Sequence, residues 1–593
     1  MKAKAWPYAD IKFPFSVDES GSFADYLLER PEDMNELALG SRVLIHDNRD
    51  GKKIWMEATV VGIRAVAPFN LERENLLYVH DETLESFSLL KDLNGPHRIQ
   101  KYLIRVRLNK ELEYNNELER FEVFPVQKPP SANSYLTFPS ILPKKEQDNE
   151  PSLTEMLEIK QNGIRVGAVG FGNYPYEDEG EFLVYHLDLE SLDNKHMFIV
   201  GESGSGKTVL LKNLALEIRA FDSNSKLILM DVQGDLTQIF LPDLVDAPTS
   251  KGWQSKINKH SKLNAIDIMK PFNLVIPATK HNDLNEHIQT LKKLARKRGI
   301  QVYEIGLRLR DLNLPSEVEY MFRVTSEQVA MLLDEEVDYL RIHGKEKNIN
   351  IPDLETLIQY RMNKAKGKKE FTSSAGTVYY TSTGNAALRA LKNLKGYFDF
   401  HDISMESEDD PLDCLENEGT TIIYLDHLSW DERLMWEMQI VKWLYDNKSN
   451  KTNHYYVFID EAHQIIPAKA PAEGLKGTFD RLRTNFERLA REGRKFGINL
   501  ILSTQSPNDL HEIVPNQCPT KFVMKIDPKN AQYAQLDKDL ASIAARFNQG
   551  QFWFRSPFNG TMEWVRIHSW ASNLPHEPMV RYWPKLREQA KKE

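Results

Sequence analysis

Cysteine is nearly missing from this chain. Cys414 and Cys518 are the two present among 593 residues, they lie far apart, and neither belongs to a C-x-x-C metal or redox pattern, which suits a reducing cytoplasm. Long apolar runs are missing as well: nothing approaches the ~20 consecutive apolar residues of a membrane-spanning helix, so no membrane partner is expected. The first twenty residues, MKAKAWPYADIKFPFSVDES, carry basic residues without the apolar segment of a secretory signal. No internal repeat is apparent. Positive charge is in deficit, with a formal net charge of −10. That weighs little against a nucleic-acid partner, because binding follows local patches, and a ring can keep an acidic exterior around a basic channel.

What is present is a globular composition, 41% hydrophobic and 27% charged, in a chain long enough for two to four domains. Up to about Leu187 the pattern is one of short alternating strands, such as ALGSRVLIHD (38–47), IWMEATVVGIRAV (54–66) and YLIRVRLNKEL (102–112). Polar or Gly/Pro turns divide them, which predicts a small antiparallel barrel or sandwich over 1–187. The polar stretch PKKEQDNEPS (143–152) reads as a surface loop or linker.

From about Asp188 the texture changes. HMFIVG (196–201), KLILMDV (226–232), TTIIYLDHL (420–428), YYVFID (455–460) and INLILSTQ (498–505) are short apolar runs bounded by turn residues. They are the signature of parallel strands covered on both faces, and so of a doubly wound α/β core. Between about 277 and 413 the strand pattern lapses. HNDLNEHIQTLKKLARKRG (281–299), EQVAMLLDEEVDYLRIHG (327–344) and DLETLIQYRMNKAKG (353–367) have helical spacing instead. This predicts a helical insertion (277–413) splitting the core into 188–276 and 414–570. The tail 571–593 reads as an arm or a frayed terminus.

Residues 201–208, GESGSGKT, fit G-x-x-x-x-G-K-[ST] between a strand and a helix. Gly201, Ser203, Gly204, Ser205 and Gly206 let backbone N–H groups close around a phosphate, and the helix N-terminus adds a favourable field. Lys207 is placed to bridge the β- and γ-phosphates of ATP, and the Thr208 hydroxyl to ligate Mg²⁺. In YYVFIDEAH (455–463) a strand ends in two carboxylates. Asp460 is expected to hold Mg²⁺ and Glu461 to deprotonate the attacking water. Thr504 and Gln505, at another strand end, suit sensing a γ-phosphate or positioning water. Between them lies RLRTNFERLAREGRKFG (481–497), whose arginines are mostly a solvated face. Arg491 and Arg494, just before a strand of the site, are candidates for an arginine finger reaching a neighbouring subunit's nucleotide.

Phosphate loop, carboxylate pair, REGRKFG and STQSP, in that order and spacing, resemble the HerA-like ATPases of the wider HerA–FtsK group. The resemblance implies a RecA-like P-loop core with a helical insertion, preceded by a small N-terminal β-barrel. It also implies a Mg²⁺-dependent ATP hydrolase that forms a homohexamer around double-stranded DNA and moves it. Arg494 matches the family's trans-acting finger, with Arg491 as second candidate. Asp231, opening DVQGD (231–235), matches an acidic position near the nucleotide, although Leu236 stands where the family has an aromatic; the alternative is an aspartate that caps the next turn. Members commonly serve a separate effector, a nuclease or, in anti-phage systems, a nuclease-like or sirtuin-like NAD-degrading protein, for which the N-terminal barrel is the natural docking surface.

DNA contact by such a motor runs through phosphates. Lys469, Lys476, LKKLARKRG (291–299) and NKAKGKK (363–369) are basic candidates, with a solvated surface the ordinary alternative for each. Two other functions fit the same engine. One is a protein-remodelling motor, the other a ring that binds ATP only to scaffold an effector. The presence of both Asp460 and Glu461 speaks against a disabled site.

Overall fold

The computed structural model describes residues 6–7, 23–28, 37–66, 101–131, 134–142, 150–160, 162–178, 180–258, 260, 262–278, 285–306, 326–343, 351–365, 367–394, 411–446, 454–469, 476–557 and 563–592. Most of the stretch 143–152 read as a loop lies outside the described residues.

A 13-stranded sheet organises the chain. Its centre is parallel, in the order Thr520–Val523, Met197–Val200, Ile498–Thr504, Tyr455–Ile459, Lys226–Asp231, Thr420–Tyr424, Phe272–Pro277, Gln301–Ile305. Every residue of Met197–Val200 is buried, and the alternation of side chains explains why. Phe198 and Val200 enter the apolar cluster on one face of the sheet, while Met197 and Ile199 enter the cluster on the other. A strand covered on both sides must be apolar at every position, which is why these segments read as unbroken runs.

The helices Glu327–His343 and Ile351–Lys364 pack on the first face through Val329, Leu333, Leu354 and Ile358. Among the described residues the expected insertion is largely helical, but the strand Gln301–Ile305, after the helix Glu286–Lys297, extends the sheet edge in parallel, and Glu370–Thr372 pairs with Val378–Tyr380 as a hairpin. On the antiparallel side the sheet continues through Gln551–Arg555, Val565–His568, Ile164–Phe171 and Val184–Leu187. The last two belong to the stretch read as barrel from their alternating pattern, yet they pair with the large sheet.

The N-terminal region forms a separate seven-stranded antiparallel sheet, with bulges in Lys52–Val66 at Glu57/Ala58 and Val60/Gly62. Its terminal strands do not pair among the described residues, so it stands as an open half-barrel. A buried charge cluster joins it to the core. Arg42 lies 2.6 Å and Lys110 3.1 Å from Glu57, and Lys110 lies 3.5 Å from Glu563 beside the core strand Val565–His568. Glu57 answers both bases, while burial and the neighbouring Glu57 charge push the Glu563 carboxyl up to about 8.

The C-terminal tail is a helix, Met579–Lys592, in place of the arm or frayed end expected. Met579, Trp583, Leu586 and Ala590 form its buried stripe at helical spacing. Trp583 stacks on His287 at 3.9 Å between ring centroids. The polar residues that made this segment look unstructured are its solvent face.

Candidate functional site, a phosphate loop at the strand ends

Strand register assembles the site. Val200 is level with Thr504 on one side and Val523 on the other, and Ile459 is level with Leu502 and Met230. The residues following these strands therefore meet at the carboxyl edge of the sheet, where open α/β folds bind ligands. The loop Gly201–Gly206 rises from the central strand and feeds the helix Lys207–Phe221. A Cβ on Gly201 would sit 2.7 Å from Ser205 Oγ and 2.8 Å from Met524 Cβ, and Gly206 holds φ at +105°. Neither position accepts another residue without moving the loop. The Glu202 N–H donates to the Lys525 carbonyl at 2.8 Å, and the Gly550 N–H donates to the Ser205 carbonyl at 3.0 Å, pinning both sides. Ser203 and Gly204 are exposed at the crest. The first N–H groups of the helix face this loop, the arrangement that binds anions.

Lys207 is buried and donates to the Glu202 carbonyl at 3.2 Å. Burial lowers its pKa against the opposing pull of Glu461 and Asp460. The Thr208 hydroxyl donates to Asp460 Oδ2 at 2.8 Å, and the Ser503 hydroxyl and the Glu461 N–H donate to Oδ1. Burial nevertheless raises the Asp460 pKa, with the Glu461 charge adding to it. One hydroxyl and one buried carboxylate, both hard oxygen donors, face each other here, the donor chemistry that suits a divalent cation. Thr208 and Asp460 thus fit a Mg²⁺ that takes its remaining ligands from phosphate and water.

Glu461 adopts φ +51°, ψ +51°, a left-handed conformation costing a non-glycine residue about 1–2 kcal/mol. The turn aims its carboxylate at the next strand end, where the Gln505 N–H donates to Oε2 at 3.2 Å and His463 Nδ1 lies 3.3 Å away. Burial opposes ionisation of Glu461, but the His463 contact, the Lys207 charge and the Gln505 N–H outweigh it and hold the pKa below the ordinary value. Ser503 and His463 were not singled out from sequence. The signal was present, since His463 closes the quoted DEAH and Ser503 precedes Thr504.

Asp231 takes a different role from the one the resemblance implies. It is buried, with Oδ1 accepting from the Gly234 N–H at 2.9 Å and Oδ2 from the Thr237 N–H at 2.6 Å and the Thr237 hydroxyl. With both oxygens so engaged, its geometry is that of a turn cap.

Arg494 lies in the turn Gly493–Phe496, before the strand Ile498–Thr504. It is exposed, its carbonyl accepts from the Gly497 N–H at 3.3 Å, and its side chain makes no ion pair or hydrogen bond among the described residues. Seven strand residues separate this turn from the site, roughly 20 Å at the usual rise per residue, which is beyond the reach of an arginine within one subunit. Arg491 is exposed too, but pairs with Glu487 at 2.7 Å on its own helix. His196, at the head of the phosphate-loop strand, holds this region in place. Its Nε2–H donates to the Ala490 carbonyl at 2.8 Å, and its Nδ1 accepts from the Leu500 N–H at 2.9 Å.

Burial, opposed by the hydrogen bond to the Ala490 carbonyl and helped by the Arg494 charge, pushes His196 from the ordinary 6.5 down to about 4. Between those values the unfolded chain binds a proton that the folded chain refuses. The stability is therefore complete above the unfolded value and is lost as pH falls, by about 1.4 kcal/mol per pH unit. Urea unfolding at about pH 7 and about pH 5 should show this loss, and His196→Gln should shrink the difference between the two.

Of the basic candidates for a DNA path, Lys469, Lys364, Lys368 and Lys369 are exposed. The Lys476 side chain lies outside the described residues. In 291–299, Lys292 and Arg296 pair with Glu304 and Arg298 bonds the Leu294 carbonyl, so much of that stretch serves its own sheet edge.

Beside the phosphate loop lies a cavity of about 420 Å³ lined by Gly206, Val209, Gly550, Trp570, Glu577 and Pro578 among others. It adjoins the N-terminus of the phosphate-loop helix through Gly206 and Val209.

With this geometry in view, residues 172–435 match the family described as "Helicase HerA, central domain". Over those residues the chain is HerA-like. A DNA double-strand break repair helicase HerA from Pyrococcus furiosus is 21% identical over 397 residues, covering 62% of this chain and 63% of the relative. A probable HerA helicase from Methanocaldococcus jannaschii is 34% identical over 102 residues, covering 16% and 19%. The chain thus spans less than two thirds of the length of either relative. Among solved structures, VirB4 of Thermoanaerobacter pseudethanolicus aligns over 70% of this chain and 98% of its own, at 11% identity and a TM-score of 0.43. The conjugative coupling protein TrwB, in its N-terminally shortened form, aligns over 71% and 92% at 13% identity and a TM-score of 0.41. The matched residues include the phosphate loop and the parallel strands Met197–Val200, Lys226–Asp231, Phe272–Pro277, Gln301–Ile305 and Thr420–Tyr424. Among the described residues no helix is long and apolar enough to cross a membrane.

Proposed function

We propose that this HerA-like protein is a Mg²⁺-dependent ATP hydrolase that assembles as a homohexameric ring and translocates double-stranded DNA in the cytoplasm. In this reading it serves a separate effector, a nuclease or NAD-degrading enzyme docked on the N-terminal sheet, in anti-phage defence. The observation that carries the proposal is the meeting of Lys207, Thr208, Asp460, Glu461 and Gln505 at one sheet edge, with an exposed Arg494 at the other end of a strand too long for it to serve its own site.

In the proposed cycle the loop N–H groups and Lys207 hold the phosphates, and Thr208 and Asp460 hold the metal. The metal, when bound, neutralises charge building on the phosphate oxygens. Glu461, kept ionised by His463 and the Gln505 N–H, accepts the proton of the attacking water, while Gln505 orients that water. Arg494 of an adjacent subunit completes the charge stabilisation, so hydrolysis is coupled to motion at the subunit boundary. Removal of a third strand from a DNA triplex, dependent on ATP, tests translocation.

A further inference from the structure

The segment after Asp231 has no part in the hydrolytic steps above, yet it is built with care. Asp231 fixes the turn DVQGDLT through Gly234 and Thr237, and this delivers Gln238, itself fully buried, to the C-terminal segment. There the Gln238 side-chain amide pairs with the backbone of Glu577 in both directions. Its Nε2–H donates to the Glu577 carbonyl, and its Oε1 accepts from the Glu577 N–H at 2.8 Å. A second tether comes from the phosphate-loop helix. Lys212, one turn after Thr208 and 1% exposed, donates to the Pro575 carbonyl at 2.6 Å and lies 3.3 Å from His576 Nδ1. Glu577, Pro578 and His576 are also walls of the cavity beside Gly206 and Val209.

The acids Asp235, Asp231 and Asp460 offset the burial of the Lys212 ammonium, and its hydrogen bond to the Pro575 carbonyl ties the C-terminal segment to the phosphate-loop helix. We propose that Gln238 and Lys212 are positioning residues for the nucleobase, fixing the wall 575–578 at a set distance from the phosphate loop. This rests on the reading of the loop as an ATP site. The Gln238 arm acts on the nucleoside end of the ligand, and it gives the DVQGD motif a task that its buried aspartate, engaged by Gly234 and Thr237, does not perform at the nucleotide.

The full chain and its Gln238→Ala, Gln238→Glu and Lys212→Met variants should be titrated with ATP and, separately, with inorganic tripolyphosphate, which has no base. ATP affinity is expected to fall about tenfold in each variant while tripolyphosphate affinity stays within about twofold. In turnover the loss should fall on KM more than on kcat. Equal losses for both ligands, as expected if the variants merely disturb the fold, would overturn the proposal, and so would unchanged ATP affinity. Gln238→Glu keeps the side-chain shape while setting an oxygen against the Glu577 carbonyl, so it tests the contact where Gln238→Ala fails to fold. Wild-type protein that binds neither ligand would instead overturn the ATP reading, and the clamp with it.

Discussion

Glu461→Gln is expected to lower kcat for ATP hydrolysis by a factor on the order of 10²–10⁴ while ATP still binds. The glutamine keeps the size of the side chain and its contact with the Gln505 N–H, but it has no site to accept a proton from water. The structure supports this choice of base over Asp460. Asp460 is fully engaged by Thr208, Ser503 and the Glu461 N–H, whereas Glu461 is turned out of the strand and held ionised by its neighbours. ATP binding and phosphate release, measured separately, distinguish the outcomes. A variant that hydrolyses ATP at the wild-type rate would remove Glu461 from the mechanism.

The second large effect is expected at a residue far from any nucleotide in its own subunit. Arg494→Ala should reduce turnover by roughly 10³–10⁵, the range for arginine fingers, without weakening ATP binding within the same subunit. Because the seven residues Ile498–Thr504 separate Arg494 from its own phosphate loop, the loss can be rescued only across an interface. Mixing Arg494→Ala with Glu461→Gln protein should restore part of the activity, since some interfaces then pair an intact Glu461 with an intact Arg494. Mixtures that demonstrably exchange subunits yet recover nothing would contradict a shared site. Arg491, tied to Glu487, is expected to tolerate the same change better.

How much of this was legible in the sequence depended on how each segment is buried. Strands covered on both faces, such as Tyr455–Ile459 and Ile498–Thr504, announce themselves as apolar runs. Strands toward the two ends of the sheet do not. Val565–His568 contains an arginine and a histidine, both buried, and Gln301–Ile305 is a partly exposed edge, so neither stands out from its surroundings. The alternation in Ile164–Phe171 is real, but the pattern does not say which sheet it joins. Local motifs placed the phosphate loop and the carboxylate pair because strand and helix order fixes them. Asp231 was ambiguous because a cap and a ligand share the same residue type, and only the N–H groups of Gly234 and Thr237 distinguish them. The clamp through Gln238 and Lys212 joins residues more than three hundred positions apart, and no local pattern carries such a contact.

ATP-driven triplex displacement measures the central claim most directly, because it separates movement along DNA from hydrolysis alone. Wild-type protein with ATP and Mg²⁺ should strip the third strand from duplex DNA of unrelated sequences, and raising salt should suppress it as phosphate contacts weaken. Glu461→Gln should bind DNA and leave the triplex intact. Hydrolysis that proceeds without displacement, and equally well with or without duplex DNA, would contradict the translocase and leave a nucleotide-dependent scaffold or a protein-remodelling motor in its place.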